Sequence, residues 1–386
     1  MTHPPLTSNL RVDVLVLGGG ITGITAAYLL KKLGKRVALL ERGTIAPDHS
    51  GNSTAHMTAI IDTPLSRLIE QLGPQGAHAV WQAGFASISR LRAIVRDERI
   101  NCRFAWMRGC LHASSNDVTG RRAAVVRELN AAESLGLEVR FVEDRHGVSG
   151  PWLIVDNQAR FDPVAYLDVL ASRIAGEGSH LFECTQVDAF EEGDPLVARA
   201  GPYRILTDYV IVAEPGLAVV VPGDPSTRPL RTNLVECSSY TVRGISPPGT
   251  IDEGLYLTHH AGSCEYLRID RSADHDDVIF GGQRHDGAAM LDDLPQLAVL
   301  DERLRARVPG VTITSQSVAH VIRTRDGLPY IGEVSPRRFI ATGYGGNGMT
   351  FGTLGGMMAA DAVLGRANPW ADLFGVDPER RSRQPA

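Results

Sequence analysis

Three glycines, Gly18, Gly20 and Gly23, stand between the apolar run Val12 to Leu17 and a helical stretch. Their spacing, G-x-G-x-x-G, suits a main chain that must take a pyrophosphate. The first glycine permits the turn, the second lets the phosphates approach the backbone, and the third lets helix and strand pack closely. Ile21 and Thr22 lie between them, where a helix start offers free N–H groups and a positive dipole end. A second apolar run, Arg36 to Leu40, ends at Glu41, about 20 residues on, where an acid can bind both hydroxyls of a ribose. Arg42 adjoins it. Strand, turn, helix, strand and acid in this order predict a βαβ unit that holds a dinucleotide, and so chemistry of hydride or electron transfer.

Two other stretches have the same character. Ser50 to Thr58 is a run of small and polar residues in which Gly51, Asn52, Ser53, Thr54, Ala55 and His56 are expected along the cofactor. Far downstream, Gly343, Gly345 and Gly348 repeat the glycine spacing, with Gly346 and Asn347 between and Met349 and Thr350 opening a helix. No further strand and acid follow, so this is expected to be a second helix N-terminus aimed at the same cofactor. Val187, Ala213 and Gly216, near the strands that should flank the first one, complete the expected cofactor wall.

The elements that must position these residues are legible as periodicity. Val12 to Leu17 is nearly all apolar, as a strand buried on both faces should be. Tyr209 to Ala213 and Arg338 to Thr342 read as further strands of that sheet. Helices are expected over Pro64 to Leu72, Gly76 to Glu98, Gly120 to Leu135, Pro163 to Gly176, Leu294 to Val308 and Met349 to Gly365. Between Thr227 and Val311, short alternating runs predict an antiparallel sheet. The fold class is therefore α/β: a doubly wound nucleotide unit with a second, discontinuous unit on an antiparallel or mixed sheet.

Composition sets limits. The chain has 386 residues, 43% hydrophobic and 22% charged, with a formal net charge of −5. That suits about two domains and gives no footprint for nucleic acid or a polybasic membrane anchor. No apolar run reaches the roughly 18 residues of a membrane span. Without a signal-peptide pattern, a cytoplasmic protein is expected. The five cysteines are scattered with no metal-binding spacing, so they are expected to be reduced thiols.

Taken together, these motifs resemble the D-amino-acid oxidase-like family of FAD-dependent oxidoreductases. The resemblance rests on the opening fingerprint, on Ser50-Gly-Asn-Ser-Thr-Ala-His-Met-Thr, and on Asn157-Gln-Ala-Arg-Phe-Asp-Pro-Val-Ala-Tyr-Leu. It rests also on Asp326-Gly-Leu-Pro-Tyr-Ile-Gly and Ala341-Thr-Gly-Tyr-Gly-Gly-Asn-Gly-Met-Thr-Phe-Gly-Thr. The chain is most similar to bacterial members that often carry a C-terminal Rieske domain; the Rieske pattern is absent here. The resemblance implies bound FAD, a small amine or amino-acid substrate, hydride transfer to flavin N5, and oxygen or another electron acceptor. An FAD-binding domain is then expected over 1–75, 150–225 and 320–386, and a substrate domain over 76–149 and 226–319.

The same resemblance nominates substrate-side residues. Arg323, shortly before Asp326, is the expected carboxylate clamp, with Arg325 as its competitor. Arg268 is expected on a strand facing the substrate cavity. Tyr266 and Tyr256 are hydroxyl donors. His320 and His285 are pocket histidines, and His56 is a ring contact. Glu214-Pro215, Asp162 and His320 depart from residues frequent in the family. The rival readings are an NAD(P)-dependent dehydrogenase and a flavoprotein subunit that needs a partner or a specialised biosynthetic substrate.

Overall fold

The strand Leu10–Leu17 lies inside the first sheet, and Leu15 and Val16 are wholly buried. Its neighbours explain the near-continuous apolar run. Val37–Leu40 pairs with it in parallel on one side and Tyr203–Val212 in parallel on the other. In this computed structural model, which describes residues 3–45, 50, 53–113, 118–143, 150–214, 233–260, 263–286 and 294–376, the order continues outward. His180–Phe182 lies beyond Val37–Leu40, and Arg338–Thr342 and then Tyr330–Ser335 lie beyond Tyr203–Val212. Because the chain leaves Leu17 between two parallel neighbours reached by different crossovers, Gly18 sits at a topological switch point. Open α/β sheets bind ligands there. Gly18 N donates to Leu40 O at 2.8 Å, and Ala213 N donates to Leu17 O at 2.8 Å.

Two helices pack against each other over this point, Ile21–Lys32 and Gly348–Val363. Their close approach is made by glycine. A Cβ on Gly356 would come within 2.7 Å of Thr25 Cβ, and one on Gly355 within 3.2 Å of Thr22 Cγ2. The two helix starts therefore lie side by side at the ends of the strands.

The second sheet runs Thr312–Thr324, Leu234–Ser246, Asp276–Asp286, Ser263–Arg271, Gly254–His260, Ala105–Ala113, Trp152–Arg160, His56–Met57. The first five strands are antiparallel; four lie in the stretch whose alternating runs predict such a sheet, and Thr312–Thr324 lies beyond it. Gly254–His260 meets Ala105–Ala113 in parallel. Trp152–Arg160, grouped by sequence with the nucleotide unit, hydrogen-bonds into this second sheet. So does His56–Met57, which pairs with Arg160 and Ala159 and ties the expected cofactor loop to the far sheet. Helix Leu294–Arg307 covers one face through Leu297, Leu300 and Leu304 against Tyr240, Val242 and Phe280. The run Leu65–Asp97 is two helices, as the sequence reading has it, broken where Gly73 takes φ 72° before Pro74. None of the five cysteines is in a disulfide. Among the described residues, no helix is long and apolar enough to cross a membrane.

A carboxylate fixes the base of the nucleotide helix. Glu98 accepts from Tyr28 OH at 2.6 Å and meets Lys32 Nζ at 2.8 Å and Arg173 Nε at 3.3 Å. The Lys32 and Tyr28 bonds hold its pKa below the ordinary carboxylate value, while burial and then Glu98 push Tyr28 up to about 12. A depressed carboxylate contributes stability above its unfolded pKa, and that contribution is lost as pH falls through the folded value. Lys32 is largely exposed, so its share is small. Glu98→Gln should cost about 1 kcal/mol at pH 7, and the gap to the unchanged protein should close below about pH 4. Paired denaturant titrations across that range test this; a gap independent of pH would rule out the ionised Glu98 as its source.

Candidate functional site

The glycine turn is narrow because its neighbours are backbone. Gly18 has φ +107°, and a Cβ there would come within 2.7 Å of Ala213 O. A Cβ on Gly23 would overlap the carbonyl oxygen of Gly18, so the helix reaches the strand only without a side chain. Gly20, the residue before the helix, has no side chain to cap it, and Ser50 Oγ from the following loop accepts from Ile21 N at 3.2 Å. Glu41, at the end of the second strand, is buried and accepts from Gly19 N and from Gly43 N, each at 2.7 Å. Glu214 stands beside it. Burial raises its pKa above the ordinary value, Arg42 opposes that rise and Glu41 adds to it. A dinucleotide's adenosine and pyrophosphate suit this end: a helix start, a cradle open only to backbone and an acid beside it.

The second glycine turn faces the same cavity. Gly343 and Gly345 hold φ +81° and +57°, and Gly345 N donates to Ile322 O at 2.9 Å. The helix from Gly348 also lacks a side-chain cap, and a Cβ on Gly348 would meet nothing within 4 Å. Thr22 Oγ1 and Tyr344 OH lie 2.9 Å apart and join the two helix starts. Burial raises the Tyr344 phenol pKa. Opposite runs Thr58–Asp62, of which the sequence reading reaches only Thr58. Thr350 Oγ1 accepts from Thr58 N and donates to Thr58 O, each at 3.2 Å, Asn347 Nδ2 donates to Ile60 O at 3.2 Å, and Gly346 N donates to Asp62 Oδ2 at 3.2 Å. Buried His259 meets Ile61 O through Nε2 at 3.0 Å. The signal that could have found this segment is its position directly after the His56 loop.

The cavity between these ends has a volume of about 320 Å3. Gly18, Gly20, Ile21, Thr22, Glu41, Arg42, Ser53, Thr54, His56 and Ala213 line it, as do Gly343, Gly345, Gly346, Asn347, Gly348 and Met349. Gly23 and Thr350 lie behind the wall, the first as a packing contact and the second as the tie to Thr58. Ala55 turns to a neighbouring cavity. Val187 is off the wall and packs with Leu40, Val212 and Ile340 in an apolar cluster. Gly51, Asn52 and Gly216 lie outside the described residues, as do Pro215 and the tail 377–386.

Tyr266 stands in the wall of this cavity. Its hydroxyl lies 3.0 Å from Thr241 Oγ1, and its ring centroid lies 5.0 Å from that of His56. His56 Nδ1 is in turn 3.1 Å from Thr54 Oγ1. Gly281 pairs with Tyr266 across the ladder, and a Cβ there would overlap the phenol, so the missing side chain makes the tyrosine's bed. Thr241, Ser239 and Cys264 line this cavity and the sequence reading misses them; Thr241 and its ladder partner Gly281 reach Tyr266 only through strand register.

The nominated arginines are placed elsewhere. Arg268 is corrected: it is buried, forks Asp270 through Nε and Nη2 at 3.0 and 2.6 Å, and donates to Thr54 O, so its guanidinium faces the neighbouring cavity. Arg323 is half-buried at the end of Thr312–Thr324. It bridges to Tyr344 through its backbone and is not among the lining residues. His320, on the same strand, lines the cavity at an exposed rim. His285 and His320 lie on the two strands flanking Ser238 and share its register, while the side chain of His285 is outside the described residues. Tyr256 is buried and donates to Asp252 O at 2.8 Å, a packing role.

Comparison with known proteins agrees with this geometry. The family model described as FAD dependent oxidoreductase (DAO) matches residues 13–362. A Bacillus subtilis protein named as a Rieske 2Fe-2S iron–sulfur protein, YhfW, is 27% identical, over 97% of this chain and 72% of that one. The gamma-glutamylputrescine oxidoreductase of Escherichia coli is 22% identical, over 94% of this chain and 86% of that one. The structure of glycine oxidase from Geobacillus kaustophilus superposes with a TM-score of 0.75 at 17% identity, covering 98% and 100% of the two chains, and has the same fold.

Proposed function

We propose, from the fact that this chain belongs to the DAO family of FAD-dependent oxidoreductases, that it oxidises a C–N bond of a small amine or amino acid. The observation that carries the reading is one cavity walled on one side by two glycine-led helix starts and on another by Tyr266, Thr241 and His56. Bound FAD supplies the hydride acceptor, N5 of its ring. Gly18 to Thr22, Glu41 and Arg42 are assigned to the pyrophosphate and ribose, and Gly343 to Met349 to the flavin end.

The remaining steps belong to the chain's own groups. The helix starting at Gly348 opposes negative charge gained next to it, through its N–H groups and dipole. Tyr266, fixed by Thr241 and backed by Gly281, offers a hydroxyl to the substrate nitrogen. His56, held by Thr54, offers its ring beside Tyr266. Leu257 and Ile61 line the cavity with apolar surface that limits water. A substrate nitrogen that enters deprotonated needs no strong base here. The electrons then pass to oxygen or another acceptor.

The test is anaerobic mixing of the yellow holoprotein with a panel of amines and amino acids. At least one should bleach the flavin absorbance. If none does while dithionite does, the proposed substrate class fails. For a bleaching substrate, Tyr266→Phe should slow reduction about tenfold, roughly 1.4 kcal/mol of barrier, with FAD content unchanged. An unaltered rate would remove the hydroxyl from the reaction.

A further inference from the structure

The second cavity, about 380 Å3, lies across Ser53 and Thr54 from the first. Four arginines, Arg103, Arg160, Arg243 and Arg268, and three aspartates, Asp162, Asp270 and Asp277, stand in its wall. The carboxylates are already committed. Asp270 holds Arg268 and also meets Arg160 Nε at 3.1 Å. Asp162 accepts from Ala165 N at 3.0 Å and caps helix Pro163–Ser172. Asp277 lies 3.5 Å from His275. Among the described residues, the side chains of Arg243 and Arg103 make no hydrogen bond and no ion pair.

Arg243 is half-buried, and burial followed by the charge of Arg268 works against its protonated form. Asp270 and Asp277 favour its charge from across the cavity but neither bonds to it, and a partly desolvated guanidinium without a bonded counter-charge is costly. A planar fork of N–H donors suits an oxyanion in two-point contact. The cavity is larger than an ion and falls in the range of about 300–1,000 Å3 that holds small molecules. We propose that this cavity binds a small molecule by its oxyanion, carboxylate or phosphate, through Arg243 at its inner wall and Arg103 at its rim. The site is separate from the flavin and from the molecule oxidised.

The test uses the holoprotein, with calorimetric titration and thermal unfolding in inorganic phosphate or succinate, each against sodium chloride of equal ionic strength. At least one probe should bind saturably and raise Tm beyond the chloride control. The probe that does so identifies the oxyanion. Arg243→Met should raise Tm without a probe, weaken binding by about tenfold or more and remove the probe-dependent rise. Arg103→Gln, at an exposed position, should weaken binding with Tm unchanged, and it keeps the test open if Arg243→Met folds poorly. Neither probe exceeding chloride, or both variants binding as the unchanged protein does, would overturn the proposal. Flavin content and substrate bleaching are scored separately, so this outcome leaves the amine-oxidation reading where it stands.

Discussion

Gly23→Ala should yield a protein that purifies largely without its flavin. The added methyl would overlap Gly18 O, and a Cβ at this position would lie 3.2 Å from Val16 Cγ1. Neither neighbour can yield, since one is the backbone of the turn and the other is in the central buried strand. The helix Ile21–Lys32 must move off the strand. That carries its N–H groups away from the place assigned to the pyrophosphate. Overpacking of this kind costs roughly 1–3 kcal/mol, occasionally more. Most of it falls on the cofactor-binding turn, so FAD affinity should drop by about 10- to 100-fold. The flavin-to-protein ratio and a fluorescence titration of apoprotein with FAD measure this. A full complement of tightly held FAD in the variant would mean that the close packing of Gly23 does not set the cradle.

Gly356→Leu should have the next largest effect, from the other helix. A side chain at 356 would drive into Thr25, whose Cβ would be 2.7 Å away, and approach Ala26 N at 3.0 Å. The loss should be about 3 kcal/mol of stability. A second effect should accompany it. The helix Gly348–Val363 would swing its start away from Thr22 and Tyr344, whose oxygens now lie 2.9 Å apart. FAD binding should therefore weaken, although position 356 does not line the cavity. Met357→Leu, a volume-conserving change at a half-buried neighbour, should cost less than about 1.5 kcal/mol and leave the flavin content alone. Equal Tm values for the two variants would show that the glycine stripe is not what seats the late helix.

The parts of the site legible in the sequence are those whose chemistry lies in a short stretch of chain. A central strand, a glycine turn and a helix start are local, so Gly18 to Glu41 could be read as a nucleotide cradle before any packing was known. Gly343 to Met349 could be read as its counterpart for the same reason. Most of the segment Thr58–Asp62 escapes because its residue types are unremarkable alone. It matters through hydrogen bonds to Asn347, Gly346 and Thr350, nearly 300 residues away in sequence. Val187 and Arg323 mark the opposite limit. Each stands near the expected place along the chain, yet the first packs its side chain into an apolar cluster and the second bridges by its backbone.

The strand Ser263–Arg271 shows most clearly where sequence ends and tertiary structure begins. Period-two alternation puts Tyr266 and Arg268 on one face, and that much the sequence determined. Two cavities divide that face, and only the fold decides this. Thr54 O and Asp270 take the guanidinium to one side, while Thr241 and the bare backbone of Gly281 receive the phenol on the other. The sequence determined the family, the cofactor and the two helix starts, because each is written in consecutive residues. Which polar groups face the cavity was decided by strand register and by competition for charged partners. Both are set by neighbours far apart in the chain.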